Sequence, residues 1–315
     1  MAERWRDVAG PIGVLPTGPS NAITDVPGVL VGHSQSSRGE RSGVTVVQPP
    51  ALPAAAGMDV VNGVGELVAG HDIAERGRIE TPVYLCGTHA LGTVTQAAIE
   101  LSGRGPDDSV IPIVGECDDG DLADSRRIVA ADVEAASRAL GTEVGEGSVG
   151  AGTGMVLYGY PGGIGTASRR AGEHTVGVLL LCNFGEREYL DLLGTSLGSA
   201  PSPETHGSCI AVCATDAPLH PGQLRRLALR PLLGLVRSGS YGSEGSGEIG
   251  VAFTTAGDVP ALGLDSLDAL FAAAYESAHE AVMNCLVAAR PARRLDGTEQ
   301  EPFPIEHVRE LAARR

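Results

Sequence analysis

The sequence predicts a single domain of the α/β or α+β class, covering residues 1–315, with layered sheets. Apolar runs of strand length are frequent, and several follow one another directly along the chain. Helical spacing of apolar residues recurs between these runs, as in Val129, Val133, Ala136 and Leu140. The chain is 43% apolar and 20% charged, and no repeat or low-complexity linker divides it.

The first half of the chain is predicted to be rich in strands. Residues 10–34 are dominated by turns, and residues 66–75 are either helical or irregular. A helix is expected over about 90–101, and Asp124–Ser125 are expected to cap another that Gly141 ends. The predicted strands are 29–33, 42–47, 58–63 with its closing turn, 83–86 and 110–114.

The second half alternates strands with longer helices. Pro221 suits the first turn of a helix, in which Pro231 should introduce a kink. The longest helix is predicted from Asp265 or Ser266 to about Ala289, and a short helix follows it. The predicted strands are 155–158, 176–182, 209–214 and 249–254.

The most informative stretch is HGSCIAVCATD at 206–216. Residues 198–205 contain small polar residues and two prolines, which indicates a surface loop. Residues 209–214 are apolar without interruption, which predicts a central strand covered on both faces. A flexible segment therefore ends at Gly207, and Ser208 starts a buried strand. This arrangement suits a chain that cuts itself before Ser208 and then uses the new N-terminal serine as a nucleophile.

Composition excludes several classes of protein. The formal net charge of −16, without a basic stripe, argues against nucleic acid and anionic membranes as partners. No signal peptide and no apolar run of membrane-spanning length is visible, so the cytoplasm is the expected compartment. The six cysteines include no CxxC pair and mostly lie in apolar runs, which predicts buried reduced thiols.

Two familiar motifs occur in the wrong context. GEGSVG at 145–150 matches the dinucleotide-binding pattern but lacks the flanking strand and helix, so close backbone packing is the better interpretation. GTSLG at 194–198 matches a nucleophile elbow, but the following prolines preclude the helix that an elbow requires, and Ser196 is interpreted as a linker residue. The histidines show no metal-binding spacing, so no metal is expected.

Three other polar residues lie at strand ends or in loops. Asn183 ends the apolar run before the linker, and Ser246 and Glu248 precede the strand at 249–254. Taken alone, Asn183 is a turn former and Ser246 a loop residue.

Several blocks in the same order give the chain a recognisable resemblance, which extends from about residue 10 to 260. Together they resemble the DmpA-type aminopeptidases, which include L-aminopeptidase/D-amidase-esterases and β-peptidyl aminopeptidases. The blocks are NAITDVPGV (21–29), GSVGAGTGM (147–155), GGIGTASR (162–169), NFG (183–185), ATDAPL (214–219), RSGS (237–240) and GSGE (245–248).

The resemblance implies a four-layer αββα sandwich and self-cleavage between Gly207 and Ser208, giving chains 1–207 and 208–315. It implies that Ser246 and Glu248 are the second serine and its acidic neighbour, and that Asn183 stabilises the oxyanion. It further implies a tetramer of processed pairs and no cofactor. Some members have an aromatic residue in the loop where this chain has ECDD at 116–119, so Cys117 leaves substrate preference open.

The sequence is therefore interpreted as a self-processing serine aminopeptidase or amidase. Ser208 is the expected nucleophile, and small peptides, aminoacyl amides or esters are the expected substrates. One alternative is an acyltransferase resembling the ornithine acetyltransferases, which cleave themselves but use threonine. The other is a processing-dead homologue that acts as a binding protein.

Overall fold

A computed structural model describes residues 3–38, 41–120, 122–196, 207–257 and 259–314. The predicted linker 198–205 and His206 lie outside these ranges. The strands of the described residues are β1 (Leu30–Gln35), β2 (Gly43–Gln48), β3 (Ala54–Asn62), β4 (Arg78–Ile79), β5 (Val83–Gly87), β6 (Ile113–Cys117), β7 (Val156–Leu157), β8 (Tyr160–Pro161), β9 (Gly163–Ala171), β10 (His174–Asn183), β11 (Asp191–Leu192), β12 (Thr195–Ser196), β13 (Gly207–Thr215) and β14 (Ser246–Thr254).

The α-helices of the same ranges lie on the outside of two sheets. None of them is long and apolar enough to cross a membrane. They are α1 (Trp5–Ala9), α2 (Gly70–Arg76), α3 (Leu91–Leu101), α4 (Ala130–Arg138), α5 (Pro221–Arg237), α6 (Leu267–Ala288) and α7 (Ile305–Ala312).

Two sheets form the centre of the fold. The larger has the strand order β4-β3-β14-β13-β10-β9, and the smaller has the order β1-β2-β5-β6. Within the larger sheet, β13 is parallel to β14 and antiparallel to β10, and β14 is antiparallel to β3. Helix α5 supplies the crossover between β13 and β14 that a parallel pair requires.

The apolar side chains form three layers of core, which makes the fold an αββα sandwich as predicted. The middle layer lies between the sheets and includes Ile210 and Val212 of β13 with Leu85 and Ile113 of the smaller sheet. An outer layer packs the larger sheet against α5 and α6. The other outer layer packs the smaller sheet against α3 and α4.

Strand β13 shows how the sequence produces this arrangement. Its side chains alternate, so that Cys209, Ala211 and Cys213 face the helices while Ile210 and Val212 face the other sheet. All nine of its residues are buried, which confirms the prediction of a doubly covered central strand. The strand begins at Gly207, two residues before the apolar run. The six cysteines of the chain are buried and unpaired, as expected.

Several predicted elements have different bounds, and for two of them the local sequence gives the reason. The strand expected at 110–114 is β6, Ile113–Cys117, because Pro112 has no amide hydrogen for a ladder and pairing starts after it. The helix expected from Asp124 starts only at Ala130. Asp124 caps a short 3₁₀ turn instead, and the side chain of Asp132 accepts the amide of Val129 at 3.0 Å.

Candidate active site

The register of three neighbouring strands brings the predicted site residues together. Asn183, the last residue of β10, lies directly opposite Ser208 of β13. On the other side of β13, Ser246 lies opposite Gly207, and Glu248 lies opposite Cys209. The four predicted catalytic residues therefore lie at the same end of the larger sheet, although up to 65 positions separate them in the chain.

Ser208 is buried at the start of β13. The residue is 5% exposed, and its hydroxyl has no hydrogen-bond partner of normal geometry among the described residues. The hydroxyl lies close enough to the Cys117 thiol to lower the pKa of that thiol, against the larger rise that burial causes. A buried hydroxyl without a full hydrogen bond is unusual, because its desolvation is not compensated.

Position 207 favours glycine because neighbouring atoms lie close to where a side chain would begin, and not because of an unusual backbone angle. A β-carbon at this position would lie 2.9 Å from Ser246 Oγ and 3.1 Å from the Cα of Phe184. Gly207 is absent from the residues with positive φ and belongs to β13. Its amide donates to the carbonyl of Gly245 at 3.3 Å.

The Asn183 side chain has a fixed orientation. Its Oδ1 accepts the amide of Val156 at 2.7 Å, so the oxygen and nitrogen ends of the group are distinguished. The NH₂ end is therefore the end available to donate. Asn183 is 4% exposed, which gives such a donor a weakly screened environment.

Ser246 and Glu248 form a hydrogen-bonded pair. Ser246 Oγ donates to Glu248 Oε1 at 2.5 Å, and both residues are buried. The second carboxylate oxygen, Oε2, has no hydrogen-bond partner in the part of the chain that the structure describes. Burial raises the pKa of Glu248, and the hydrogen bond from Ser246 opposes that rise. Glu248 thus presents one free oxygen that can accept a bond from a cation.

Cys117 does not lie in a loop, contrary to the sequence prediction. It is the last residue of β6 and is fully buried between the sheets, where its Sγ approaches the carbonyl of Leu181 at 3.7 Å. Burial raises the pKa of the thiol. The alternation of Ile113, Gly115 and Cys117 along the strand was the signal for this placement.

Glu116 is a buried residue of the same strand end that sequence reasoning did not single out. One of its oxygens accepts the amide of Glu66 at 2.8 Å, and the Thr88 hydroxyl donates to the other. The two remaining motifs are structural. Ser196 is exposed and donates to the carbonyl of Glu188 at 2.8 Å, while Gly147, with φ of +76°, packs against the backbone of Ala288.

The arrangement supplies a hydroxyl, an amide donor and a buried serine–carboxylate pair, and no histidine among the described residues is bonded to Ser208. These are groups that a hydrolase with a serine nucleophile can use.

The family follows from comparison with known proteins: the chain belongs to peptidase family S58, whose profile matches residues 21–300. It is 36% identical to the β-peptidyl aminopeptidase BapA of Sphingosinicella microcystinivorans over 98% of this chain and 91% of that protein. A β-aminopeptidase from Burkholderia sp. has a TM-score of 0.89 at 36% identity, covering 99% of this chain and 98% of that one.

The L-aminopeptidase D-Ala-esterase/amidase of Ochrobactrum anthropi, described as a prototype for the serine aminopeptidases, has a TM-score of 0.88 at 33% identity over 99% of both chains. The protein is therefore a hydrolase of the serine aminopeptidase class. These comparisons favour that interpretation over the acetyltransferase alternative.

Proposed function

We propose that the protein cuts itself between Gly207 and Ser208 and then hydrolyses amide, peptide or ester bonds that follow an N-terminal aminoacyl group. The observation that carries the proposal is the strand register that places Ser208 between Asn183 on one side and the Ser246–Glu248 pair on the other. The substrates are small peptides and aminoacyl amides, β-aminoacyl groups among them, in line with the relatives named above.

Self-cleavage uses the hydroxyl of Ser208. Oγ attacks the carbonyl carbon of Gly207, the C–N bond breaks, and the Ser208 nitrogen takes up the hydroxyl proton. The product is an ester between Gly207 and Ser208 Oγ. Water then hydrolyses this ester, leaving a carboxylate on Gly207 and restoring the hydroxyl. The absence of a side chain on Gly207 keeps the Ser246 hydroxyl close to the scissile bond.

Substrate turnover uses the α-amine that cleavage creates. Its unperturbed pKa of about 7.7–8.0 lets it accept the Ser208 hydroxyl proton near neutral pH. Oγ attacks the substrate carbonyl, and the Asn183 NH₂ group donates to the oxyanion. The proton on the amine passes to the leaving group, and water hydrolyses the acyl ester in the second half of the cycle.

The Ser246–Glu248 pair recognises the substrate amine. Glu248 Oε2 is buried without a partner, so an ammonium group that reached it would form a charge-assisted bond. The Ser246 hydroxyl fixes the other oxygen and thereby the plane of the carboxylate. A substrate with a blocked amino group would lose this interaction.

The proposal also covers the oligomeric state of the protein and its cellular compartment. We infer a homo-oligomer of four processed pairs in the cytoplasm. The family resemblance supports the oligomer, and six buried free thiols suit a reducing compartment.

Glu248→Gln tests the recognition of the amine. We expect normal self-cleavage but weakened hydrolysis of aminoacyl para-nitroanilides, because the variant keeps the shape of the side chain and loses its charge. Two ionisations should limit wild-type activity on acidification: that of the Ser208 α-amine, which must be neutral, and that of Glu248, which must be charged and whose pKa burial raises. The variant should keep the first ionisation and lose the second.

Rates on free and N-acetylated β-alanyl and L-alanyl para-nitroanilides provide the measurement. Wild-type protein should hydrolyse only the free forms. Equal rates for Glu248→Gln and wild type on the free forms, with both proteins cut, would remove the proposed role of Glu248.

A further inference from the structure

The loop at 239–245 decides where two parts of the site lie. It connects α5 to β14 without helix or strand of its own and leads directly into Ser246. The carbonyl of Ser243 accepts the Ser246 amide at 2.9 Å, and the carbonyl of Gly245 accepts the amide of Gly207 at 3.3 Å. A shift of this loop would therefore move both the second serine and the backbone at the cleavage site.

Tyr241 of the loop contacts Glu186 and Tyr189, while the end of the loop that leads into Ser246 is bonded by Asn62. The Nδ2 atom of Asn62 donates to the carbonyl oxygens of Ser243 at 2.9 Å, Glu244 at 3.2 Å and Ser246 at 2.5 Å. An amide nitrogen carries two hydrogens, so the three acceptors share them. Three carbonyls of one short segment thus converge on a single donor group.

A β-bulge places Asn62 at this position. In the pairing of β3 with β14, Ile249 lies opposite Val60, whereas Glu248 lies opposite Asn62. Val61 is therefore the extra residue of β3. In a regular ladder Val61 would lie opposite Glu248, and a slip of one residue exchanges the two faces of a strand. The bulge is what brings an amide, and not a valine, to the catalytic pair.

We propose that Asn62 is a positioning residue for the reaction, which holds the loop at 239–245 so that Ser246 stays bonded to Glu248 beside Ser208. The inference rests on the proposed function and deepens it. Asn62 acts through the loop. Its substitution should therefore change the position of Ser246 relative to Glu248, although both residues are still present in the variant.

The pKa of Glu248 reports on the position of the loop at 239–245. The groups beside the carboxylate are the Ser246 hydroxyl on β14, Asn62 opposite on β3, Cys209 opposite on β13, and Gly242, whose β-carbon position is 3.5 Å from Oε2. If the loop moves, the Ser246 bond that lowers the pKa of Glu248 is weakened, and burial then raises the pKa without opposition.

Asn62→Leu tests the proposal, because leucine has nearly the size of asparagine but no donor. Gln48→Met is the matched control, since it removes an amide that donates to the carbonyl of Pro49 at 2.8 Å on β2 of the other sheet. The rates per cut chain on β-alanyl para-nitroanilide would be measured as a function of pH, together with the thermal unfolding temperature.

We expect kcat of Asn62→Leu to fall by about 10- to 100-fold, as misplacement of a catalytic group does, with KM nearly unchanged. In the pH profile, the ionisation of Glu248 should move to higher pH while that of the Ser208 α-amine stays in place, and Gln48→Met should match wild type in kcat and in both ionisations. A wild-type kcat, or a lower kcat with an unmoved Glu248 ionisation, overturns the inference. If Asn62→Leu does not fold, Asn62→Ala is judged by the same criteria. Inactive wild-type protein would instead overturn the proposed function itself.

Discussion

Asn183 of β10 and Ser208 of β13 lie opposite each other on adjacent strands. This pairing limits the chemistry that each residue can perform. The amide of Val156 holds the oxygen end of the Asn183 side chain, so the NH₂ end, which carries the hydrogens, points away from Val156. No base among the described residues is bonded to the Ser208 hydroxyl, so in the proposed reaction the α-amine freed by cleavage serves as the base. The proposal thus makes Asn183 the oxyanion donor and Ser208 the nucleophile.

Asn183→Ala should lower kcat by about 10²–10³, the usual cost of losing one oxyanion donor. It also leaves the buried amide of Val156 without an acceptor, which should lower the free energy of unfolding by about 1–3 kcal/mol. Asn183→Asp separates the two effects, since it keeps the acceptor and loses the donor. Steady-state kinetics and chemical denaturation give the two quantities, and a change confined to KM would make Asn183 a binding residue.

At the scale of the element, β13 carries the site because its first two residues form the predicted cleavage junction. Its neighbours β10 and β14 supply all the other proposed catalytic groups. Gly207 is confined at this junction by Ser246, Phe184 and Asn183.

Gly207→Ala should therefore slow self-cleavage, by about tenfold or more, because its β-carbon would displace the Ser246 hydroxyl. Gly92→Ala in α3 is the control, since a β-carbon there has no atom within 4 Å. The measurement is the uncut fraction of each variant after a fixed incubation, determined on a denaturing gel. Cleavage of Gly207→Ala at the wild-type rate would show that the junction tolerates a side chain.

The elements differ in how far the sequence could predict them. The continuous apolar run at 209–214 was sufficient to predict a central strand, because a strand covered on both faces needs no polar alternation. The resemblance identified Ser208, Asn183, Ser246 and Glu248 as one site, and the register now provides the geometry for that grouping. No local pattern could give that register, since pairing partners are set by the packing of distant segments.

Asn62 and Cys117 show why the rest was missed. Asn62 was interpreted as part of a turn after a strand, and its bonds to three carbonyls leave no periodic signal in the sequence. Cys117 was interpreted as a loop residue because the strand was expected to end at Val114, whereas strand pairing with β5 extends to its position. Contacts with residues far away in the chain decide both placements.

At the scale of the whole molecule, cleavage would not separate the two chains. The segment from Ser208 onward contributes β13 and β14, which lie between β10 and β3 of the first segment. Buried Arg169 of the first segment also bonds to Glu276 and Glu280 of α6. Separation would expose apolar strands and unpaired charges, so the processed pair should remain one particle.

The intact mass of purified protein tests the central claim most directly. Under denaturing conditions, wild-type protein should give two chains, 1–207 and 208–315, whose masses sum to that of the uncut chain plus one water. The same sample should elute as one particle without denaturant. Ser196→Ala should be cut normally, and Ser208→Ala should fold but give one uncut, inactive chain. A single uncut wild-type chain, or a second chain that starts at any residue other than Ser208, would contradict the account.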